Sequence, residues 1–221
     1  MAINVIENNL LHIKQNIAPY TPRIIAVTKY YDREAILDAY SAGLRDFGES
    51  RVNDAIEKIE SLPNEIRKES FFHFIGHLQT NKVEKVVKYF DYIQSVDSLR
   101  LAKIISESAA KINKIQNVLI QVNISGEVQK FGFEEKELEN CIDELVKLEG
   151  IKLNGLMCMA PFGADNDELD KVFSKAQSLL NQYSSKGYLK AQELSMGMSD
   201  DYERAVKNGA TMIRIGRLLF N

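Results

Sequence analysis

Apolar residues along this chain follow two spacings, one typical of helices and one typical of buried strands. The first apolar positions, Ile3, Ile6, Leu10, Ile13 and Ile17, recur at helical spacing, and two prolines then interrupt the pattern. From residue 23 onward, eight short apolar runs predict strands over about 23–29, 46–50, 71–75, 92–96, 118–124, 153–160, 194–198 and 212–216. Between them, helical periodicity predicts helices over about 33–42, 52–61, 81–90, 98–112, 135–148, 167–184 and 200–207.

Strands that alternate with helices predict a parallel sheet. Eight such units close into a barrel, for which about 200 residues is the lower limit, and this chain has 221. We therefore predict an α/β fold, a single TIM-type (β/α)8 barrel with an extra N-terminal helix, in which residues 1–221 form one domain. The alternative is a doubly wound open sheet, which normally has a G-x-G-x-x-G turn after its first strand. The corresponding turn here, residues 29–33, contains no glycine.

Composition excludes several classes of partner. With 28 basic and 31 acidic residues, the chain has neither the basic patch of a nucleic-acid binder nor a polybasic membrane signal. No apolar run approaches the ~20 residues of a membrane-spanning helix, and the N-terminus does not resemble a signal peptide. Cys141 and Cys158 lack C-x-x-C spacing, so we expect buried, inert thiols in a reducing, cytoplasmic setting.

Lys29 is the residue that most clearly suggests chemistry. It ends the first apolar run, and in a barrel of this type the active site lies at the carboxyl ends of the strands. A lysine amine placed there can form a Schiff base with a carbonyl compound. The alternative is a solvent-exposed lysine that only ends a strand, as most charged residues are exposed.

The ends of the last two predicted strands suggest a phosphate site. Ser199 is a candidate N-cap for the helix that follows, and Gly216 and Arg217 follow the eighth strand. Barrels often bind phosphate in the loops after strands seven and eight, where backbone amides face the anion. The alternative is a structural cap and a structural glycine. Together with Lys29, these positions describe a ligand with an aldehyde at one end and a phosphate at the other, as in pyridoxal phosphate (PLP).

Seven stretches of the sequence carry a resemblance to a known family. They are residues 26–29, 47–49, 73–82, 121–125, 155–157, 194–199 and 214–217, and they span nearly the whole chain. On these stretches the chain resembles the pyridoxal phosphate homeostasis proteins, which are single-barrel relatives of the alanine racemase N-terminal domain. No single stretch is specific, but their combination is.

The resemblance implies a set of cofactor-binding residues: Lys29, Ser50, Ser199, Arg214, Gly216 and Arg217. Lys29 would hold PLP as a Schiff base, and Ser199, Gly216 and Arg217 would bind its phosphate. Arg214 would approach the pyridine nitrogen, leave it unprotonated and so weaken the ring as an electron sink. Many family members have asparagine where this chain has Ser50, so that hydrogen bond is expected to be lost or to pass through a water.

The resemblance also implies a function, the intracellular homeostasis of PLP (vitamin B6) and of amino acids, without an established reaction. We therefore predict a PLP-binding protein that is not an enzyme, with apo PLP enzymes as candidate partners. The alternative is a PLP-dependent amino-acid racemase, which needs acid–base groups on both faces of the α-carbon. In alanine racemase the second base comes from a β-rich domain that we expect to be absent here, although His77 could replace it.

Two further interpretations have less support. A sugar-phosphate enzyme built on the same barrel would need a carboxylate at the mouth, for which Asp97 or Glu49 would serve. His73 and His77, at strand period, would share one face, but no third ligand with zinc-type spacing is evident, so no metal site is predicted.

Overall fold

Eight parallel strands close into a barrel in chain order, so that β8 pairs with β1. The structure, a computed structural model, describes residues 3–127 and 131–221. The strands are β1 (Arg23–Val27), β2 (Asp46–Glu49), β3 (Phe71–Phe74), β4 (Tyr92–Val96), β5 (Gln116–Gln121), β6 (Ile151–Met157), β7 (Glu193–Ser195) and β8 (Met212–Ile215). This is the (β/α)8 barrel that the alternation of apolar runs predicts.

The helices surround the barrel, and most lie where the helical periodicity places them. They are α1 (Ile3–Asn16), α2 (Arg33–Ser41), α3 (Val52–Ser61), α4 (Asn64–Glu69), α5 (Val83–Tyr89), α6 (Leu99–Ala110), α7 (Glu135–Leu145), α8 (Asn166–Ser185), α9 (Tyr202–Lys207) and α10 (Arg217–Phe220). The sequence did not predict α4 or α10. Helix α4 has no buried residue, and α10 is only four residues long, so neither shows an apolar periodicity.

The extra N-terminal helix is present and lies against the end of the chain. Ile6, Leu10 and Ile13 form its buried face. The side-chain amide of Asn9 donates hydrogen bonds to the carbonyl oxygens of Leu219 and Asn221, at 3.1 and 3.0 Å. Helix α1 is therefore tied to the segment that follows β8.

The apolar core has two parts because parallel strands in a barrel are buried on both faces. The larger part lies between the strands and the surrounding helices. The smaller part fills the barrel interior and consists of Ile25, Tyr92, Leu119, Met157 and Met212. Polar side chains, including the buried Arg214 guanidinium, also occur among the buried strand residues.

Several expectations about single residues need correction. His73 lies in β3 and is fully buried, whereas His77 lies beyond the end of β3 and is exposed, so the two do not share a strand face. Cys158 is buried as expected, but Cys141 is only half-buried.

Within the described residues, no helix has the length and apolarity needed to cross a membrane.

Candidate functional site

The six candidate residues lie at the carboxyl ends of four neighbouring strands. Ser199 follows β7, Gly216 and Arg217 follow β8, Lys29 follows β1, and Ser50 follows β2; Arg214 is in β8 itself. Strands β7, β8, β1 and β2 are consecutive around the barrel, so their loops form one arc of its mouth. The amide of Leu218 lies 3.5 Å from the hydroxyl of Ser199, which connects the loops after β7 and β8.

Lys29 lies in a turn rather than in the strand. Strand β1 ends at Val27, two residues earlier than the apolar run suggests. The half-buried Lys29 side chain places its Nζ 5.0 Å from the ring centroid of Tyr30. Lys29 also borders a surface cleft of about 540 Å³ between this turn and α3. The other five candidate residues do not line that cleft.

A lysine that the sequence did not suggest holds this turn in place. The Nζ of Lys58, on α3, donates to the backbone oxygens of Thr28, at 2.8 Å, and Tyr31, at 3.1 Å. The same ammonium forms an ion pair with Glu49, which also accepts a hydrogen bond of 2.7 Å from the hydroxyl of Thr28. Lys58 and Glu49 therefore brace both ends of the turn that carries Lys29.

Glu49 is deeply buried, with 1% of its side chain exposed. Burial raises the pKa of the Glu49 carboxyl, although Lys58 and the Thr28 hydroxyl oppose that effect. Since Glu49 already binds both groups, it is not an available carboxylate at the barrel mouth. Of the two alternative carboxylates considered for a sugar-phosphate enzyme, Asp97 and Glu49, this leaves Asp97.

Arg214 is a buried cation without a carboxylate partner. It is 4% exposed, and burial lowers the pKa of its guanidinium. Its Nη1 donates to the Ser195 hydroxyl at 2.7 Å, and its Nη2 donates to the Cys158 carbonyl oxygen at 3.0 Å. Among the described residues, no carboxylate lies within 4.0 Å of the guanidinium. Buried charges in proteins are normally paired, so the arrangement suggests a ligand that accepts hydrogen bonds.

The prediction that Ser199 caps the next helix is wrong. Helix α9 begins at Tyr202, and the residue before it is Asp201. The carboxylate of Asp201 instead accepts a hydrogen bond from the amide of Met198, which closes a tight turn around Ser199. Ser199 is half-buried in this turn. A polar side chain in a short turn resembles a helix cap in sequence, since both use a small residue after a strand.

Two glycines near the site have different reasons to be glycine. Gly197 has φ +91°, and a Cβ there would lie 2.5 Å from the Cβ of Ala205, so the fold itself requires glycine. At Gly216 an added Cβ would meet no atom closer than 3.5 Å, where it would contact Val27. The protein alone therefore leaves room at Gly216. Beside it, Arg217 is exposed and forms an ion pair of 2.8 Å with Asp200.

His77 and Asp97 form a second polar group, on another part of the mouth. The Nδ1 of His77 lies 3.1 Å from a carboxylate oxygen of Asp97, and its ring stacks on Phe131 with centroids 3.8 Å apart. These residues follow β3 and β4, outside the arc that contains Lys29 and Arg214. Ser98 also donates to Asp97, at 3.3 Å, so this carboxylate has two partners.

The fold and the candidate site define a class of protein, a (β/α)8 barrel that brings a lysine amine, a buried arginine and the loops after β7 and β8 to one part of its mouth. Comparison with known proteins agrees with this description. Residues 2–221 match the family model described as alanine racemase, N-terminal domain. The chain therefore belongs to the alanine racemase N-terminal domain family, among the pyridoxal phosphate homeostasis proteins.

Three relatives illustrate the relationship. The pyridoxal phosphate homeostasis protein of Synechocystis sp. is 40% identical over 202 residues, which cover 91% of this chain and 92% of that protein. PipY of Synechococcus elongatus PCC7942, solved without PLP, is 35% identical with a TM-score of 0.91 over 98% of this chain and all of that one. PipY has also been solved with PLP bound; that structure is 34% identical, with a TM-score of 0.87 and the same coverage.

Alanine racemase itself is a more distant neighbour. The enzyme of Clostridium difficile is 18% identical, with a TM-score of 0.81, over 98% of this chain and 56% of the racemase. At this identity the likeness concerns the fold alone.

We expect Lys58→Met to destabilise the protein by about 3 kcal/mol near neutral pH, because it leaves the buried Glu49 charge unpaired. Without the ammonium, the pKa of Glu49 rises further above its value in the unfolded chain. As the pH falls, Glu49 then takes up a proton in the folded protein before it does so in the unfolded chain. The loss of unfolding free energy should therefore be smaller at pH 5 than at pH 8. Urea denaturation at both pH values measures this difference.

Lys103→Met is the matched control, because Lys103 pairs with Glu144 at 2.9 Å on an exposed surface. That variant should lose no more than about 1 kcal/mol and show little dependence on pH. Equal losses for the two variants at both pH values would show that the Glu49 pair does not brace the turn.

Proposed function

We propose that this protein binds PLP at the mouth of its barrel and acts in the homeostasis of this cofactor, as the names of its relatives indicate for them. The observation that carries the proposal is the buried guanidinium of Arg214, which has no carboxylate within 4.0 Å among the described residues and lies in the strand next to the one that precedes Lys29. PipY, which shares this fold over nearly its whole length, has been solved with PLP bound. Residues 1–221 would form one PLP-binding domain.

The groups present fit the chemistry of this cofactor. PLP has an aldehyde, a pyridine nitrogen and a phosphate, and it supplies an electron-withdrawing ring next to the carbon that bears the aldehyde. The arc contains the Lys29 amine for the aldehyde and the buried Arg214 guanidinium for the pyridine nitrogen. The two turns after β7 and β8 would receive the phosphate. Gly216 leaves space where a side chain would otherwise stand, which allows a ligand to approach the backbone closely.

Each candidate residue then has a role. The Lys29 amine would hold the cofactor through its aldehyde, since a lysine amine can form a Schiff base with a carbonyl group. Arg214 would donate a hydrogen bond to the ring nitrogen, and because a guanidinium only donates, that nitrogen would remain unprotonated. Ser199, the backbone at Gly216 and the Arg217 side chain hold the phosphate. Ser50, half-buried beside Gly76, would contact the ring through a water.

The turn that carries Lys29 is braced by other residues, so the Lys29 side chain is not needed to hold it. Lys58 and Glu49 hold the backbone of residues 28–31, while the Lys29 amine lies over the ring of Tyr30. The amine that would hold the cofactor thus extends from an anchored stretch of backbone.

We further propose that the protein holds and releases the cofactor without turnover, rather than acting as an amino-acid racemase. An unprotonated ring nitrogen stabilises a carbanion poorly, which supports this interpretation. His77, the candidate second base, follows β3 and is bound to Asp97. Apo PLP enzymes in the cytoplasm would receive the cofactor, and neither nucleic acid nor membrane would be a partner.

Lys29 should carry the covalent link to the cofactor. Incubation with PLP followed by borohydride reduction and peptide mass mapping should place the pyridoxyl group on Lys29. Lys29→Ala should abolish the adduct and the visible absorption band of the bound cofactor. Because the Lys29 side chain is half-buried rather than part of the core, the melting temperature of the Lys29→Ala protein should change little. Lys82→Ala is the control, because Lys82 is also half-buried but lies outside the arc. This variant should keep the adduct on Lys29.

The phosphate end of the site can be tested with Gly216→Ala. Since the added Cβ meets nothing closer than 3.5 Å, the variant without cofactor should keep its stability. Its affinity for PLP should fall because the methyl group lies where the phosphate approaches the backbone. Ser199→Ala should cost about 1 kcal/mol of PLP binding, the value of one neutral hydrogen bond. Titration with pyridoxal, which lacks the phosphate, is the comparison. If the variants lose as much affinity for pyridoxal as for PLP, these residues do not bind the phosphate.

Turnover of amino acids should be absent. Each common L-amino acid, incubated with the PLP-loaded protein in deuterated water, should keep its α-proton and its chirality. Exchange at about 1 per second or faster for any of them would contradict the absence of catalysis. If such exchange disappeared in His77→Ala, the racemase alternative with His77 as second base would be supported instead.

A further inference from the structure

A chain of hydrogen-bonded side chains crosses the interior of the barrel from Arg214 to Asp46. Arg214 donates to the Ser195 hydroxyl at 2.7 Å, and this hydroxyl lies 2.7 Å from Oε1 of Gln94. The Nε2 of Gln94 lies 3.0 Å from Nδ1 of His73, whose Nε2 lies 2.9 Å from a carboxylate oxygen of Asp46. The five residues come from five strands, β8, β7, β4, β3 and β2.

The two ends of this chain determine the direction of every hydrogen bond in it. A guanidinium only donates and a carboxylate only accepts. Ser195 therefore accepts from Arg214 and gives its own proton to the Gln94 oxygen. The Gln94 amide nitrogen in turn donates to Nδ1 of His73, and the proton of His73 is on Nε2, where it donates to Asp46. One tautomer of a neutral histidine satisfies all four contacts.

The chain is buried enough for this order to matter. Ser195, Gln94 and His73 are fully buried, and Arg214 is 4% exposed. Inside a protein, an unsatisfied polar group costs more than one at the surface, so a break at any link disturbs its neighbours. The ring of Tyr92 stacks on His73 with centroids 4.7 Å apart, which fixes the plane of the imidazole as well.

The consequence for Arg214 is a fixed orientation of its guanidinium. Two of its N–H groups bind Ser195 and the Cys158 carbonyl oxygen. Since the guanidinium is planar, these two bonds determine where the other N–H groups lie. Those other groups have no partner within the part of the chain that the structure describes.

We propose that Ser195, Gln94 and His73 are positioning residues that hold the Arg214 guanidinium in the orientation needed to bind the pyridine nitrogen of PLP. This inference rests on the proposed function. It adds that the ring is recognised through a polarised chain that is anchored at the Asp46 carboxylate, on the strand next to β1. None of the three residues touches the cofactor itself.

The test compares the bound cofactor in variants that break the chain at different links. In Gln94→Leu and Ser195→Ala, PLP should still attach to Lys29, but its visible absorption maximum should shift. Its dissociation should become roughly three- to tenfold faster, as expected for the loss of one well-placed hydrogen bond. Ser195→Thr keeps a hydroxyl at this position and should restore the wild-type spectrum.

Gln116→Leu is the matched control. Gln116 is a fully buried glutamine of β5 that is not part of the hydrogen-bonded chain from Arg214 to Asp46, and it donates to the Asp91 carbonyl oxygen. It should lower stability but leave the spectrum and the dissociation rate unchanged. If Gln94→Leu does not fold, the smaller change Ser195→Ala carries the test. An unchanged spectrum and rate in the chain variants would overturn the inference and leave the proposed function intact.

A second measurement does not depend on the cofactor. Nitrogen NMR of the imidazole in the protein without PLP should show His73 as the neutral tautomer with its proton on Nε2. A charged His73, or a neutral one with its proton on Nδ1, could not accept a hydrogen bond from the Gln94 amide nitrogen. Either result would overturn the inference. Failure of the wild-type protein to take up PLP would overturn both proposals, while the NMR result would still show the direction of the chain.

Discussion

The pairing of β8 with β1 closes the barrel, and the candidate site depends on it. Ile25 lies opposite Arg214 and Ala26 opposite Ile215 in this pair, although the two strands stand at opposite ends of the sequence. Because the strands are parallel, both send their following loops to the same end of the barrel. The turn with Lys29 and the turn with Gly216 are therefore neighbours, and a Cβ on Gly216 would touch Val27.

The barrel interior differs from the usual packed interior of this fold, in which bulky branched residues dominate. Here a small apolar cluster shares the interior with a polar chain that runs from Arg214 to Asp46. Such a chain contributes little net stability compared with an apolar core of the same volume. What it supplies is a single defined arrangement for a buried cation, which an apolar core does not provide.

Two polar networks thus support the two ends of the proposed cofactor site. Lys58 and Glu49 brace the backbone of the turn that carries Lys29, without using the Lys29 amine. Ser195 and Cys158 bind the guanidinium of Arg214 directly, and they leave it little freedom. A braced turn for the amine and a fixed orientation for the donor both agree with the proposed binding of PLP.

The fold could be predicted from local patterns in the sequence, and the candidate site residues were chosen from the same patterns. Strand and helix spacing are local patterns, so the eight units, the N-terminal helix and the position of Lys29 at a strand end could all be predicted. Short elements such as α4 and α10 were missed because they bury too few residues to show a period. Ser199 was taken for a helix cap because a turn and a cap use the same small residues.

Which polar side chains meet could be seen only once the strands and helices were assembled. Lys58 reaches Glu49 and the turn after β1 because α3 packs beside that turn, and no spacing rule predicts this contact. Gln94 and Ser195 are 101 residues apart, and they meet because both point into a closed barrel. The physical reason is that periodicity reports whether a residue is buried, whereas its partner depends on the register of strands that are distant in sequence.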